Sequence, residues 1–160
     1  MNPEVSVRPG RQEDAEGLVR AYEAAWDAAL APLVGKSLGD LAPFDARVEQ
    51  ARASLADPPE NAAAWVAERD REIVGMASAA DAELRALYVV PGAWGSGIAK
   101  ALMEAALDRL RGRGVAEAHL WVGEDNARAR RFYEREGWAL DGETRTSPVG
   151  PREVRYRRSL

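Results

Sequence analysis

The chain has 160 residues, of which 46% are hydrophobic and 30% charged, and it contains no cysteine. This length and composition fit a globular protein with one core, so we expect a single domain over residues 1–160. The missing cysteines exclude disulfides, thiolate metal sites and a cysteine nucleophile. The net charge of −4 argues against a nucleic-acid partner, because duplex binders carry a basic surplus.

Apolar stretches in the sequence are short. None approaches the roughly 20 residues that a membrane-spanning helix needs, and residues 1–11 lack the apolar region of a secretory signal. We therefore expect no membrane partner and a cytoplasmic location.

The predicted elements begin with a short strand and two helices. Residues 4–8 alternate polar and apolar side chains and stop at a Pro-Gly pair, which indicates a strand. Between residues 13 and 32 the apolar residues fall on one helical stripe. Two glycines and a lysine predict a loop over residues 34–40, and a second helix follows over residues 43–56.

The centre of the chain predicts three hairpin-connected strands and one crossover. The three strands are expected at residues 62–68, 72–79 and 82–90. A glycine-rich turn then leads into a helix closed by two glycines, and another strand follows at residues 116–122. A strand, a helix and a strand in this order favour a parallel pair, so the sheet should be mixed.

The last third predicts one helix and a terminal pair of strands. The helix runs from residue 126 to about 136, and the strands cover residues 138–144 and 152–158. The segment 145–150 between them is predicted to be a hairpin turn, with a flexible flap as the alternative. The complete order is β-α-α-β-β-β-α-β-α-β-β, which indicates an α/β fold with helices beside a mixed sheet.

The turn after the third central strand is the first candidate site. It lies within the run Leu87-Tyr88-Val89-Val90-Pro91-Gly92-Ala93-Trp94-Gly95-Ser96-Gly97-Ile98-Ala99-Lys100. The first N–H groups of a helix have no partner within the helix, and the helix dipole is positive there. Glycines let those amides approach an anion closely. The turn is therefore predicted to bind a diphosphate group.

Two common nucleotide-binding patterns do not fit this turn. The Walker pattern needs a lysine directly after its last glycine, whereas Lys100 follows Gly97 by three positions. The Rossmann fingerprint needs glycine or alanine where Lys100 stands. Taken alone, the turn is also compatible with an ordinary tight connection between a strand and a helix.

Two motifs together resemble the GNAT superfamily of N-acetyltransferases. The run from Trp94 to Ala99 is similar to its acetyl-CoA loop, Arg/Gln-x-x-Gly-x-Gly/Ala, with tryptophan at the first position. A second run is similar to Asn-x-x-Ala-x-x-Phe-Tyr-x-x-x-Gly-Phe/Trp at Asn126, Ala129, Phe132, Tyr133, Gly137 and Trp138. The resemblance is strong from Leu84 to Trp138. It implies the GNAT fold, acetyl transfer to an amine, acetyl-CoA as co-substrate and no metal.

The resemblance implies cofactor contacts at both motifs. The residues concerned are Leu87, Tyr88, Val89, Trp94, Gly95, Ser96, Gly97, Ile98, Ala99, Lys100, Asn126, Ala129 and Tyr133. Lys100, Arg128 and Arg131 lie close enough to the turn to meet the extra phosphate of the nucleotide, with solvated side chains as the alternative. Taken singly, Asn126 would be a helix N-cap and Tyr133 a core tyrosine.

Catalytic roles follow from the same resemblance. Tyr133 is expected to protonate the leaving thiolate, and the backbone N–H near Val89 to stabilise the oxyanion. Glu83 is the candidate base for the amine, with a solvated strand residue as the equal alternative. His119, the one histidine in the chain, is expected to be structural.

The acceptor should be a small-molecule or peptide amine that contacts Tyr22 and Trp26 in the first helix. Two other functions stay open: a coenzyme A-binding regulatory module without turnover, and a nucleotide-binding domain of another class. The sequence does not indicate an oligomeric state, and the resemblance allows a homodimer, since dimers are common in the superfamily.

Overall fold

The structure is a computed structural model that describes residues 5–146, 148 and 150–160. Seven strands form one sheet in the spatial order β1-β2-β3-β4-β5-β7-β6. The strands are Val5–Pro9 (β1), Ala62–Arg69 (β2), Glu72–Ala80 (β3), Glu83–Val89 (β4), Glu117–Gly123 (β5), Ala139–Arg145 (β6) and Glu153–Ser159 (β7). The helices are Ala15–Ala29 (α1), Ala31–Val34 (α2), Leu38–Leu41 (α3), Phe44–Ala56 (α4), Ile98–Gly112 (α5) and Ala127–Arg135 (α6).

The predicted mixed α/β fold is confirmed. β1 to β4 form consecutive antiparallel pairs, β5 runs parallel to β4, and β7 pairs antiparallel with both β5 and β6. α5 makes the predicted crossover between the two parallel strands. The predicted strand start at Glu4 and part of the predicted turn, Ser147 and Val149, lie outside the described residues.

One local prediction is wrong in part. The segment 34–40, predicted as a loop, contains the end of α2 and most of α3. The Ser37 side chain accepts a hydrogen bond from the Asp40 N–H at 3.2 Å, and the Asp40 carboxylate accepts one from the Ser37 N–H at 3.1 Å. This reciprocal capping supports a single helical turn in a segment whose two glycines disfavour helix.

The sheet carries a hydrophobic core on each face. α5 covers one face, where Leu102, Met103 and Leu107 are completely buried. α1 covers the other face against β3 and β4 and packs on α4, and Leu18 and Val48 belong to one buried cluster with Val66 of β2 and Met76 of β3. Consecutive strand residues therefore serve different cores, as the two-residue period of a strand requires.

A β-bulge lies near the start of β4. Leu84 pairs with Ala79 and Ala86 pairs with Ser78, so Arg85 is the extra residue between them. After the bulge, Leu87 faces the α5 core and Tyr88 faces α1. The bulge thus sets which side chains of the second half of β4 face each layer.

Candidate active site

β4 and β5 separate soon after they meet. In the described part of the chain, their register contains the single pair Glu83 and His119. The His119 N–H also donates to the Ala82 carbonyl at 3.0 Å. Beyond this point the two strands have no further paired residues, so the edge of β4 that faces β5 keeps backbone groups available to a ligand.

A cleft of about 570 Å³ opens beside the separated strand ends. Its walls come from β4, the turn before α5, and the cleft-facing side of α6. All thirteen residues predicted to bind the cofactor line it: Leu87, Tyr88, Val89, Trp94, Gly95, Ser96, Gly97, Ile98, Ala99, Lys100, Asn126, Ala129 and Tyr133. Two motifs almost thirty residues apart are thus brought to one cavity, although their contacts with a cofactor stay predictions.

The turn before α5 has left-handed backbone at two positions. Gly95 has a φ of 75° and Gly97 a φ of 85°, a region that side chains with a Cβ avoid. A Cβ added at either glycine would meet no atom within 4 Å, so the space in front of the turn is open. The unpaired first-turn N–H groups of α5, which begins at Ile98, therefore adjoin space that an anion can occupy.

Trp94 connects this turn to both neighbouring elements. Its indole N–H donates to the Val89 carbonyl at 2.8 Å, at the end of β4. The guanidinium carbon of Arg128 lies 3.4 Å from the centre of the indole ring, which is 40% exposed. The Lys100 ammonium is 3.5 Å from a Glu136 carboxylate oxygen.

α6 brings the second motif to the cleft. The Asn126 side chain accepts from the Ala129 N–H at 3.3 Å and caps the helix, as the local alternative predicted. Tyr133 is 8% exposed and packs near the rings of Trp138 and Tyr156. Burial raises the pKa of Tyr133 above its ordinary value, so the phenol stays protonated at neutral pH.

Glu83 lies at the other end of β4, outside the lining of the cleft. One carboxylate oxygen is 3.8 Å from His119 Nε2 and 3.7 Å from Arg85 Nε. Val89 is six positions after Glu83, which is about 20 Å along an extended strand. The role of Glu83 as a base therefore stays a prediction.

The two residues predicted to contact the acceptor lie on α1. The Tyr22 ring is 4.5 Å from the Tyr88 ring, at a tilt of 56°. Trp26 is only 7% exposed, and the α1 residues that line the cleft are Ala25 and Ala29. Contact of Tyr22 and Trp26 with an acceptor also stays a prediction.

Sequence reasoning missed several residues of the cleft wall. They are Ala25, Ala29, Ala93, Arg135 and Glu136. The two α1 alanines lie four positions apart on the apolar stripe, and their small size was the available signal. For Arg135 and Glu136 the only signal was their place in the second motif.

Two features are absent from residues 5–146, 148 and 150–160. No helix there is long and apolar enough to cross a bilayer. No group of three or more His, Cys, Asp or Glu side chains there is arranged to hold a metal ion.

A mixed sheet that opens between two parallel strands, beside a glycine turn and a helix start, defines the class of the coenzyme-dependent N-acyltransferases. The comparison with family models is more specific. Residues 19–138 match the acetyltransferase (GNAT) family, and the chain belongs to this family of enzymes.

Relatives with curated names differ in how much of the chain they match. An uncharacterized N-acetyltransferase of Mycobacterium bovis is 38% identical over 113 residues, which are 66% of this chain and 70% of the relative. A mycothiol acetyltransferase of Beutenbergia cavernae is 50% identical over 60 residues, or 38% of this chain. The chain spans only 20% of the length of that second relative.

Solved structures resemble nearly the whole chain. The PaiA N-acetyltransferase of Thermoplasma acidophilum, solved with coenzyme A, has a TM-score of 0.77 and 19% identity, over 98% of this chain and 99% of its own. The protein yncA of Salmonella typhimurium, solved with acetyl-CoA, has a TM-score of 0.73 and 16% identity, over 98% of this chain and 94% of its own. At these identities the likeness is one of fold.

Proposed function

We propose that the chain transfers the acetyl group of acetyl-CoA to a primary amine of a small molecule or peptide. The observation that carries the proposal is the separation of β4 and β5 after one pair, directly beside the open glycine turn. Two structures of the same fold contain coenzyme A or acetyl-CoA, which supports this choice of cofactor.

The coenzyme would lie along the cleft in two sections. Its diphosphate accepts hydrogen bonds from the first N–H groups of α5, around Ile98 and Ala99. Its pantetheine arm carries amide groups and pairs with the free edge of β4 at Leu87–Val89, as an added strand would. This placement directs the thioester toward Tyr133, whose side chain lines the same cleft.

Acetyl transfer needs no enzyme nucleophile. The amine nitrogen attacks the thioester carbonyl carbon, a C–N bond forms, the C–S bond breaks, and coenzyme A leaves as a thiolate. A backbone N–H near Val89 stabilises the negative charge that develops on the carbonyl oxygen. The amine must lose a proton first, because alkylammonium groups have a pKa near 10.

Tyr133 would protonate the leaving thiolate. Burial raises the pKa of the Tyr133 phenol, which by itself makes proton donation harder. The same apolar surroundings also destabilise a thiolate, so the proton affinities of donor and acceptor rise together. Within the described residues, no side-chain hydrogen bond involves the Tyr133 hydroxyl, so the phenol is not committed to another acceptor.

The identity of the acceptor amine is the less determined part of the proposed reaction. The relative named for mycothiol favours a small molecule, but it shares only a short stretch with this chain. Glu83 beside His119 would collect the amine proton, through water if the amine binds near the thioester. Tyr22 and Trp26 remain the proposed acceptor contacts from α1.

The first experiment separates binding from transfer. Calorimetric titration with acetyl-CoA, with ATP and NAD as controls, should give saturable binding of acetyl-CoA alone. A thiol-release screen against small amines, aminothiols and peptides should then identify acceptors. Binding without release for every acceptor would support a regulatory module, and tighter binding of ATP or NAD would reject the proposal.

A further inference from the structure

Three arginines lie along the side of α6 that faces the cleft. Arg128, Arg131 and Arg135 are three and four positions apart, so they share one helical face, and all three line the cavity. We call these residues the arginine stripe. No ion pair or side-chain hydrogen bond in the described part of the chain involves any of them.

The stripe is electrostatically unfavourable without a ligand. Arg128 is in the first turn of α6, where the helix dipole is already positive. Burial, and after it the charge of Arg131, lower the pKa of Arg128. The chain has 26 acidic residues against 22 lysines and arginines, yet within residues 5–146, 148 and 150–160 no carboxylate forms an ion pair with Arg128 or Arg131.

Trp94 holds one member of the stripe at the diphosphate turn. The indole ring is fixed by its N–H bond to the Val89 carbonyl, and Arg128 stacks on the ring face. Arg128 is thereby drawn from α6 across to the loop that begins α5. The stacking leaves the edge of the planar guanidinium able to donate to another group.

The other cation near the turn already has a partner. Lys100 is beside the Glu136 carboxylate, so its charge is partly neutralised. In the proposed function the first N–H groups of α5 donate to the diphosphate. Arg128 and Arg131 are not needed for that group, so their N–H groups can donate to a further anion. Guanidinium groups bind phosphate oxygens in a bidentate manner, which suits a terminal phosphate ester.

We infer that Arg128 and Arg131 form a subsite for the ribose phosphate ester of coenzyme A, and that Trp94 is the positioning residue that holds Arg128 there. This inference rests on the proposed acetyl-CoA function and adds a selectivity to it. The cleft distinguishes coenzyme A from dephospho-coenzyme A, which has the same diphosphate and pantetheine but lacks that phosphate.

The test is calorimetric titration of the full chain with coenzyme A and with dephospho-coenzyme A. The unmodified protein should bind coenzyme A about tenfold more tightly or better, the range expected for one charge-assisted bidentate contact. Arg128→Ala should reduce this preference to about threefold or less, while binding of dephospho-coenzyme A changes little.

Variants of Trp94 separate positioning from folding. Trp94→Leu should lower the preference, and Trp94→Phe, which keeps an aromatic face, should restore part of it. The double variant Arg128→Ala with Trp94→Leu should lose little more of the preference for coenzyme A than Arg128→Ala alone, because both changes act through one contact. Arg109→Ala, which removes an exposed charge at the far end of α5, is the matched control and should keep the full preference.

Two results would overturn the inference while leaving the proposed function intact. One is equal affinity of the unmodified protein for the two ligands. The other is an Arg128→Ala variant that weakens both ligands by the same factor, which would indicate general attraction. If neither coenzyme binds the unmodified protein, the proposed function itself fails.

Discussion

The two edges of β4 have opposite roles. On the β3 side, six residue pairs between Glu83 and Val89 hold the strand in an antiparallel ladder. On the β5 side, the described residues contain one pair, Glu83 with His119. The ladder fixes the backbone from one side, and the free edge is therefore held ready for a ligand without further ordering. One strand can serve as scaffold and as binding surface only if its two edges differ in this way.

The glycines near β4 differ in the same way between its paired side and its open side. At Gly75, on the laddered side, an added Cβ would lie 2.9 Å from a Leu102 methyl carbon and 3.0 Å from the Tyr88 carbonyl oxygen. At Gly95 and Gly97, on the open side, it would meet nothing within 4 Å. The first glycine permits close packing of β3, β4 and α5, whereas the other two permit a turn with empty space in front of it.

The largest effect is expected from Gly97→Glu. The new side chain would be strained at a φ of 85° and would bring negative charge to the open turn. Binding of acetyl-CoA should weaken by about 100-fold or more, since several charge-assisted hydrogen bonds are affected together. Calorimetry measures this, with Gly92→Glu as the control, because a Cβ there also meets nothing within 4 Å. Equal losses in both variants would contradict a specific role of the Gly97 turn.

Tyr133→Phe should lower kcat by about 100-fold, as expected for removal of a general acid, with little change in acetyl-CoA binding. Burial raises the pKa of Tyr133, so its ionisation should not reduce kcat of the unmodified enzyme below about pH 10. The control is Tyr156→Phe, because that buried hydroxyl is engaged by Glu134 and Arg130. Steady-state rates against pH test both points, and an unchanged kcat in Tyr133→Phe would remove Tyr133 from the mechanism.

Glu83→Gln changes the residue that pairs with His119 where the described parts of β4 and β5 meet. If Glu83 accepts the amine proton, kcat should fall by about 100-fold or more, the lower end for general bases. Coenzyme affinity should be kept, because Glu83 does not line the cleft. The matched change is Glu72→Gln at the exposed start of β3. A loss of folding stability without a loss of kcat would make Glu83 a structural residue.

Gly75→Ala tests the laddered edge. Its Cβ would overlap Leu102 and the Tyr88 carbonyl, so the free energy of unfolding should fall by about 1–3 kcal/mol, as for other overpacked cores. Urea denaturation measures the change. Gly112→Ala at the end of α5 is the control, because a Cβ there meets nothing within 4 Å and alanine favours helix. Similar stabilities for the two variants would contradict the close packing at β3.

The smallest expected effect is on the pH dependence of folding stability, and it concerns Asp141 in β6 and its partners in β7. Burial opposes ionisation of Asp141, but hydrogen bonds from the Glu143 N–H and from Arg155 and Arg157 outweigh it and lower the Asp141 pKa to about 2. A carboxylate with a lowered pKa stabilises the fold above its ordinary pKa, near 4, and this stabilisation is lost as the pH falls from about 4 to about 2.

Asp141→Asn should therefore lower the unfolding free energy at neutral pH, and this loss should shrink as the pH falls from about 4 to about 2, so the variant depends less on pH in that range. Urea denaturation at several pH values between 2 and 6 measures the slope. Asp108→Asn, which removes an exposed carboxylate from the surface of α5, controls for the loss of one negative charge. Parallel slopes for the protein and Asp141→Asn would show that the arginine contacts of Asp141 do not stabilise the fold.

Much of the fold could be read from the sequence, because its signals are local. The apolar period predicted α4 and the strands within a residue or two. The first helix was predicted over residues 13–32, whereas α1 ends at Ala29 and the short helix α2 follows it. The loop predicted at residues 34–40 was wrong in part, because the reciprocal caps of Ser37 and Asp40 stabilise a helical turn despite the two glycines. At the site, the two motifs predicted a set of residues that share one cleft. Ala25 and Ala29 were missed because nothing local shows which side of α1 meets β4.

The sequence by itself determined the glycine turn and the capped start of α6. Both depend on residues within one helical turn of each other, so their backbone geometry follows from local sterics. Only the tertiary structure decided that Arg128 stacks on Trp94, that Lys100 meets Glu136, and that β4 has a free edge. These features join residues about 35 positions apart, and the packing of α5 and α6 against the sheet, rather than any short sequence pattern, sets those distances.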